Sequence, residues 1–329
     1  MKLCSTGALL RRAVLIGLAV AALPFAARAQ ANWPDRPIRL IVPFAPGGSN
    51  DNIARILAVK LSARLGQSVV VDNRGGAGGT IGTNVVVNAQ PDGYTLLLAS
   101  VSIVTNAASG KKLPYDPVKD LQPIGLIGAG PFAVVVSNKV PATTLKEFLA
   151  LARAKPNTIN YGSAGVGGIN HLGTELFANA AKIQMVHVPY KGIGPAFSDL
   201  IAGNIQMLLP SLASSVQHIH GGTMRGLAVT SAQRSPLAPE LPTVSEAGVP
   251  GFELEAWWGL MGPPKLPAAI VERVNRELNA ILVLPDVREL LVREGATPKP
   301  GAPDALGALV RADFPRWRKL VMDAHIQTE

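Results

Sequence analysis

Cysteine is nearly absent. The 329 residues hold one, Cys4, inside a stretch that reads as an export leader; once that is removed none remains. A disulfide framework and thiolate metal sites are thereby excluded. Aromatic residues make up only 5% of the chain, and no run of Lys and Arg is interleaved with them. A nucleic-acid-binding surface therefore has little to be built from. Long hydrophobic runs are missing too, since the apolar stretch 13–25 falls short of the ~20 residues that span a bilayer. No period of 20–50 residues repeats, which excludes solenoids and propellers.

Signatures of catalysis and of cofactors are missing in the same way. A dinucleotide fingerprint G-x-G-x-x-G would need a third glycine at Ile81 after Gly76 and Gly78, or at Asn170 after Gly165 and Gly167. The G-x-S-x-G elbow fails because Tyr161 stands two residues before Ser163 and Leu98 two before Ser100. His218-Ile219-His220 precedes Gly221-Gly222, which reads as histidines at the negative end of a helix rather than as a metal pair. No cofactor, no metal and no catalytic residue is expected.

What is there begins with Lys2, Arg11 and Arg12, the apolar stretch, and Ala27-Arg28-Ala29, the small-x-small pattern of a signal peptide cut after Ala29. Arg11-Arg12 leaves twin-arginine export open beside the general route. The chain carries 31 Lys and Arg against 22 Asp and Glu, net +9; residues 1–29 hold four of those bases and no acid, leaving +5. Such mild basicity favours anionic solutes. The roughly 300 residues that remain exceed one hydrophobic core and predict two lobes.

From Ile38 onward, short apolar runs alternate with Gly-rich turns and amphipathic helices. The strands 38–43, 68–72 and 95–100 and the helices 50–65 and 80–88 make a first set. The strands 132–137, 160–163, 185–188, 206–209 and 225–231 make a second, with helices at 144–155, after 169, and at 195–202. Alternation of this kind predicts an α/β fold in which each lobe is a doubly wound, mostly parallel sheet. Helices at 267–284, 286–294 and 304–324 return to the first lobe. The expected division is 30–126 with 230–329 for lobe 1, and 127–229 for lobe 2. The chain then crosses twice, which makes a hinge.

The richest turn is Val42-Pro43-Phe44-Ala45-Pro46-Gly47-Gly48-Ser49-Asn50-Asp51, between a strand and a helix. Ligands of open α/β sheets bind there, where helix N-termini present unpaired N–H groups. Phe44, Ala45, Gly47, Gly48, Ser49 and Asp51 are its candidate binding residues, with Ser100 at the end of a neighbouring strand. The second lobe repeats the device around Ser163, Ala164, Gly165, Gly167, Asn170 and His171. Pro189, Tyr190 and Lys191 leave a strand end and offer a wall and a cation. A strand-to-helix turn with a cap, a hydrogen-bonded histidine and a solvated lysine are the structural alternatives. Arg74 reads as a brace on its turn through Asp51, and Trp257-Trp258 as core or hinge packing that could edge the cleft.

These motifs occur together with Val71-Asp72-Asn73-Arg74-Gly75-Gly76-Ala77-Gly78-Gly79, Asp92-Gly93-Tyr94-Thr95-Leu96, Leu113-Pro114-Tyr115-Asp116, His187-Val188-Pro189-Tyr190-Lys191-Gly192 and Leu241-Pro242-Thr243-Val244. In that order they closely resemble the Bug, or TctC, family of tripartite tricarboxylate transporter receptors, over essentially the whole mature chain. The resemblance implies a two-lobed periplasmic binding protein of the Venus-flytrap, type II-like kind. It implies a small carboxylate held by backbone groups at the two turns, and delivery to a large permease with a small membrane subunit. A monomer in the periplasm is expected. The same fold presenting its closed form to a two-component sensor is the alternative, and an ester or amide hydrolase using Ser163 or His171 a remoter one. Two positions depart from the family pattern: Gly168-Ile169-Asn170, where small hydroxyl residues are common, and Pro210, where an Asp is common. Ile169 predicts a less polar or monocarboxylic solute.

Overall fold

The computed structural model describes residues 33–323; the signal-peptide reading of residues 1–29 falls outside them. Ile38–Val42 (β1) lies inside the first sheet, paired on both sides, because its residues are apolar on both faces and only Arg39 is exposed. Ser49–Leu65 (α1), which follows it, stops where Gly66 turns left-handed at φ 74°. Val69–Asn73 (β2), Thr80–Val87 (α2), Thr95–Ser100 (β3) and Ser102–Ala108 (α3) complete the first run.

Gln122–Pro131 (β4) stays in this sheet, and Ala133–Val136 (β5) opens the second. Leu145–Ala154 (α4) starts with the expected capping box, in which Thr144 accepts from the Glu147 N–H while the Glu147 carboxylate accepts from the Thr144 N–H. Asn160–Ser163 (β6), Ile169–Ala181 (α5), Val186–Pro189 (β7), Ile193–Ala202 (α6), Met207–Leu208 (β8), Leu212–His220 (α7) and Arg225–Val229 (β9) follow. Glu255–Gly262 (β10) re-enters the first sheet, and Ala268–Leu282 (α8), Pro285–Arg293 (α9), Thr297–Pro298 (β11) and Pro303–Asp323 (α10) finish the chain. The three C-terminal helices thus fall where the sequence places them.

The first sheet has the order β11-β4-β10-β3-β1-β2 and the second β7-β6-β8-β5-β9. Both are mixed, which corrects the expectation of mostly parallel sheets: β1 is parallel to β2 and β3, and β6 to β7 and β8, whereas β10, β11 and β5 run antiparallel to their neighbours. The reason lies in the crossings. β10 and β5 each come straight from the other sheet with no crossover helix, so they start at the end where β3 and β6 finish.

The crossings sit side by side. Phe132 alone joins β4 to β5, and its N–H donates to Thr230 Oγ1 (2.9 Å). Thr230 donates its own N–H to the Phe132 carbonyl (3.0 Å) and its hydroxyl to the Leu254 carbonyl (2.6 Å). β4 carries the first sheet beyond residue 126, and 231–252 stays with the second sheet through the Val229–Thr243 bridge. The glycines of 125–130 hid β4 in the sequence. Gly128 and Gly130 are there for backbone contact, since a Cβ at Gly128 would lie 2.6 Å from the Thr297 carbonyl oxygen.

Candidate functional site

Between the two sheets lies a cavity with about 490 Å³ of space between atoms, open solvent at its mouth included. It is lined by the turns that leave β1, β3 and β6, by the starts of α6 and α7, by Phe132 at the crossing and by Ala256 and Trp258 of β10. No Lys, Arg, His, Asp or Glu is among its lining residues. Any charge it takes up must be met by dipoles.

Those dipoles are set by the local sequence. Gly48 is the N-cap of α1 and Gly168 that of α5, and neither helix has a side-chain cap. Glycine supplies no side-chain oxygen, so at α1 the first-turn N–H groups stay available to a ligand, whereas at α5 Ser102 Oγ accepts the Ile169 N–H (3.3 Å). At α1 the turn is braced from behind. Asp51, 4% exposed, accepts from the Gly47 N–H (3.2 Å) and the Asn73 amide (3.1 Å), and pairs with Arg55 (3.0 Å). Burial pushes the Asp51 carboxyl up, but the bonds from Arg55, Gly47 and Asn73 outweigh it and leave the group below the ordinary carboxylate range. Trp258 Nε1 donates to Asn50 Oδ1 (2.7 Å), fixing that side chain at the cavity wall.

Behind the second turn three rings stack. Tyr161 lies 5.0 Å from His187, and His187 lies 4.0 Å from His171, centroid to centroid. His171 Nδ1 accepts the Gly167 N–H (3.1 Å), so its proton is on Nε2 in the neutral form, and His187 Nε2 is 2.6 Å from Ser163 Oγ. Desolvation, then His187 and Lys111, lower the pKa of His171 to about 3; desolvation, then Lys111, lower that of His187 to about 4. Tyr161 donates to Glu175, whose pKa burial raises. His171 therefore anchors the turn rather than reaching the cavity.

Of the candidate residues, Phe44, Ala45, Gly48, Ser49 and Ser100 line the cavity from the first sheet, and Ala164 and Asn170 from the second. Gly47, Asp51, Ser163, Gly165, Gly167 and His171 stand behind these as the frame of the two turns. Pro189, Tyr190 and Lys191 do not line it. The Tyr190 hydroxyl donates to Asp199 (2.6 Å), and the Lys191 carbonyl accepts the Ala45 N–H (3.1 Å), joining the turn after β7 to the turn after β1. Arg74 pairs with Asp72 (2.9 Å) and not with Asp51, because Asn73 and Arg55 occupy that carboxylate. His220 ends α7 as expected, though paired with Glu240 at 3.2 Å.

Sequence reasoning missed Phe132, Ile193, Ser211, Ser214 and Ala256 as lining residues, along with Val101 and Ser102. Phe132 carries no motif; only the crossing places it. Ile193 and Ser211 begin helices, as Ser49 does, so the helix-start signal was present there as well. Trp258 lines the cavity while Trp257, its neighbour on the strand, points away and donates to Asp313 (2.8 Å).

Comparison with known proteins gives one picture. The model of the tripartite tricarboxylate transporter family receptor (TctC) matches residues 53–326. A UPF0065 protein from the tcbD–tcbE intergenic region of Pseudomonas sp. strain P51 is 41% identical over 316 residues, covering 95% of this chain and 94% of that one. Among solved structures, R. palustris Rpa4515 with adipate superposes with a TM-score of 0.87 at 36% identity, over 89% of this chain and 99% of that one. MatC from Rhodopseudomonas palustris with bound malate gives 0.85 at 32%, over 88% and 100%.

Proposed function

We propose, for a chain that belongs to the tripartite tricarboxylate transporter receptor (TctC, or Bug) family, that it captures a small carboxylate in the periplasm and hands it to the family's membrane transporter. The family consists of periplasmic solute-binding receptors, and this protein is a binding protein rather than an enzyme. The observation that carries the carboxylate is the cavity: without one charged side chain, it is faced by the start of α1, whose first N–H groups no side chain caps. Pre-formed backbone donors can satisfy a carboxylate at little cost in reorganisation. Relatives with adipate and malate bound support the same chemistry.

Capture requires two lobes that move. The lobe that holds the first sheet would turn about Phe132 and Thr230 against the lobe that holds the second. Closure adds the contacts of Ala164, Asn170 and Ile193 to those of Ser49 and Asn50. The solute shifts the balance toward the closed form by its greater affinity for it. The closed surface is what the permease and its small membrane subunit would recognise, with the receptor acting as a monomer.

The test is a thermal-shift screen of the dialysed protein against mono-, di- and tricarboxylates. A ligand that binds only the fold raises Tm by mass action. At least one carboxylate should do so, and amines and neutral sugars should not; a panel of carboxylates without effect would sink the reading. Loss of uptake of that solute when the gene is deleted tests delivery.

A further inference from the structure

The hydrogen-bond donors around the cavity are unevenly committed. At the start of α1, the backbone N–H groups of Gly48, Ser49 and Asn50 have no acceptor among the described residues. The hydroxyl of Ser100, a residue only 5% exposed at the cavity wall, likewise has no partner among them. A hydroxyl at a cavity wall with no protein partner is free to donate to a ligand.

At the start of α5 most donors are spent, and of the first-turn N–H groups Asn170 alone keeps one without an acceptor among the described residues. The N–H of Gly167 goes to His171 Nδ1 (3.1 Å), that of Gly168 to the Gly165 carbonyl (3.2 Å), and that of Ile169 to Ser102 Oγ (3.3 Å). The Asn170 amide donates to the Leu209 carbonyl (2.7 Å). At α7, Ser214 Oγ lies 3.1 Å from both the Ser211 carbonyl and Ser211 Oγ. The side chains that remain on the cavity surface here are Ile169, 6% exposed, and Phe132, 2% exposed.

Given the carboxylate-capturing role above, on which this rests, we propose that the solute carries a single carboxylate, docked on the first turn of α1 and Ser100, and an apolar remainder lodged against Ile169 and Phe132. A second carboxylate at the α5 end would leave water for a surface that offers it no cation and, besides the Asn170 N–H and the Ser102 hydroxyl, no uncommitted donor, against three N–H groups and a hydroxyl at α1. Such burial is unfavourable by far more than the apolar contacts return. An alkyl chain or an unsubstituted ring meets no such penalty.

The experiment is isothermal titration of the dialysed protein with matched acids of nearly equal size: hexanoate against adipate, and benzoate against terephthalate. The monoacid of at least one pair should bind about 10-fold tighter or better than its diacid, since about 1.4 kcal/mol already corresponds to that ratio. Equal or tighter binding of the diacid in both pairs overturns the proposal while leaving carboxylate capture intact. No response to any carboxylate in this set or in the wider screen overturns both. In Ile169→Ser, which puts a hydroxyl at the α5 end, the ratio should move toward the diacid by several-fold; an unchanged ratio in the folded variant removes Ile169 as the selecting residue. Ile169→Thr, closer in shape, serves if the serine variant does not fold.

Discussion

Single residues decide how the cavity meets charge. Gly48 has ordinary backbone angles, φ −101° and ψ 170°, so its lack of a side chain is about space: a Cβ there would lie 2.8 Å from Ile193 Cγ2. Gly48→Val should abolish ligand-induced Tm shifts with the circular dichroism unchanged, and unaltered binding would count against the site. Asp51→Ala leaves the Gly47 N–H and the Asn73 amide without their acceptor. With Arg55 mostly exposed, a loss of about 2 kcal/mol in urea unfolding is expected. The stacked histidines set a pH dependence. Their folded pKa values, about 3 for His171 and about 4 for His187, lie below the ~6.5 of an unfolded chain. Between those limits the unfolded state binds more protons. The stability is thus complete above about pH 6.5 and is lost as the pH falls toward 4. His171 alone corresponds to roughly 2 kcal/mol between pH 7 and 5. Glu175, raised by burial, works in the opposite sense, so the double change His171→Asn, His187→Asn should flatten Tm against pH; an equally steep curve would reject the assignment.

At the scale of elements, the glycine-rich turns do two things at once. One is to leave the N-terminus of α1 bare for the solute. The other is to let turns of the two sheets touch. Gly165 has φ +128°, and a Cβ on it would stand 2.4 Å from the Gly78 nitrogen; a Cβ on Gly194 would stand 2.4 Å from the Pro46 carbonyl oxygen. Neither contact exists once the sheets separate. Gly165→Ala should therefore leave the lobes folded yet oppose closure, weakening ligand binding about 100-fold, as titration calorimetry would read. Undiminished affinity would mean that closure does not bring these turns together. The sequence marks both turns through their glycines and the strand-helix alternation. It does not distinguish a glycine that admits a ligand from one that admits another loop, because both demand the same missing Cβ.

For the whole molecule, the prediction is contraction. The two crossings at Phe132 and Thr230 are hydrogen-bonded to each other and to Leu254, so one narrow strip is the axis about which closure would turn the sheets. Small-angle scattering should show a smaller radius of gyration with saturating ligand than without. A radius independent of ligand would argue that the cavity binds without lobe motion. Thr230→Val removes the side-chain bonds to Phe132 and Leu254 and should cost about 1–3 kcal/mol in stability, read by denaturant unfolding.

Much was determined by sequence alone. Local signals need only neighbours along the chain: the capping box at Thr144 and Glu147, the apolar strands, the helix starts after Gly48 and Gly168, and the ordered motifs of the family. Tertiary structure decided the rest. It turned the sheets mixed, because β5 and β10 arrive directly from the opposite sheet. It put Phe132 and Trp258 into the cavity wall and Lys191 into a contact between turns. It also spent most donors of α5 on Ser102, His171 and Gly165 while leaving those of α1 unpaired. Which donors stay free depends on acceptors far apart in the chain that packing brings together, and no local pattern encodes that.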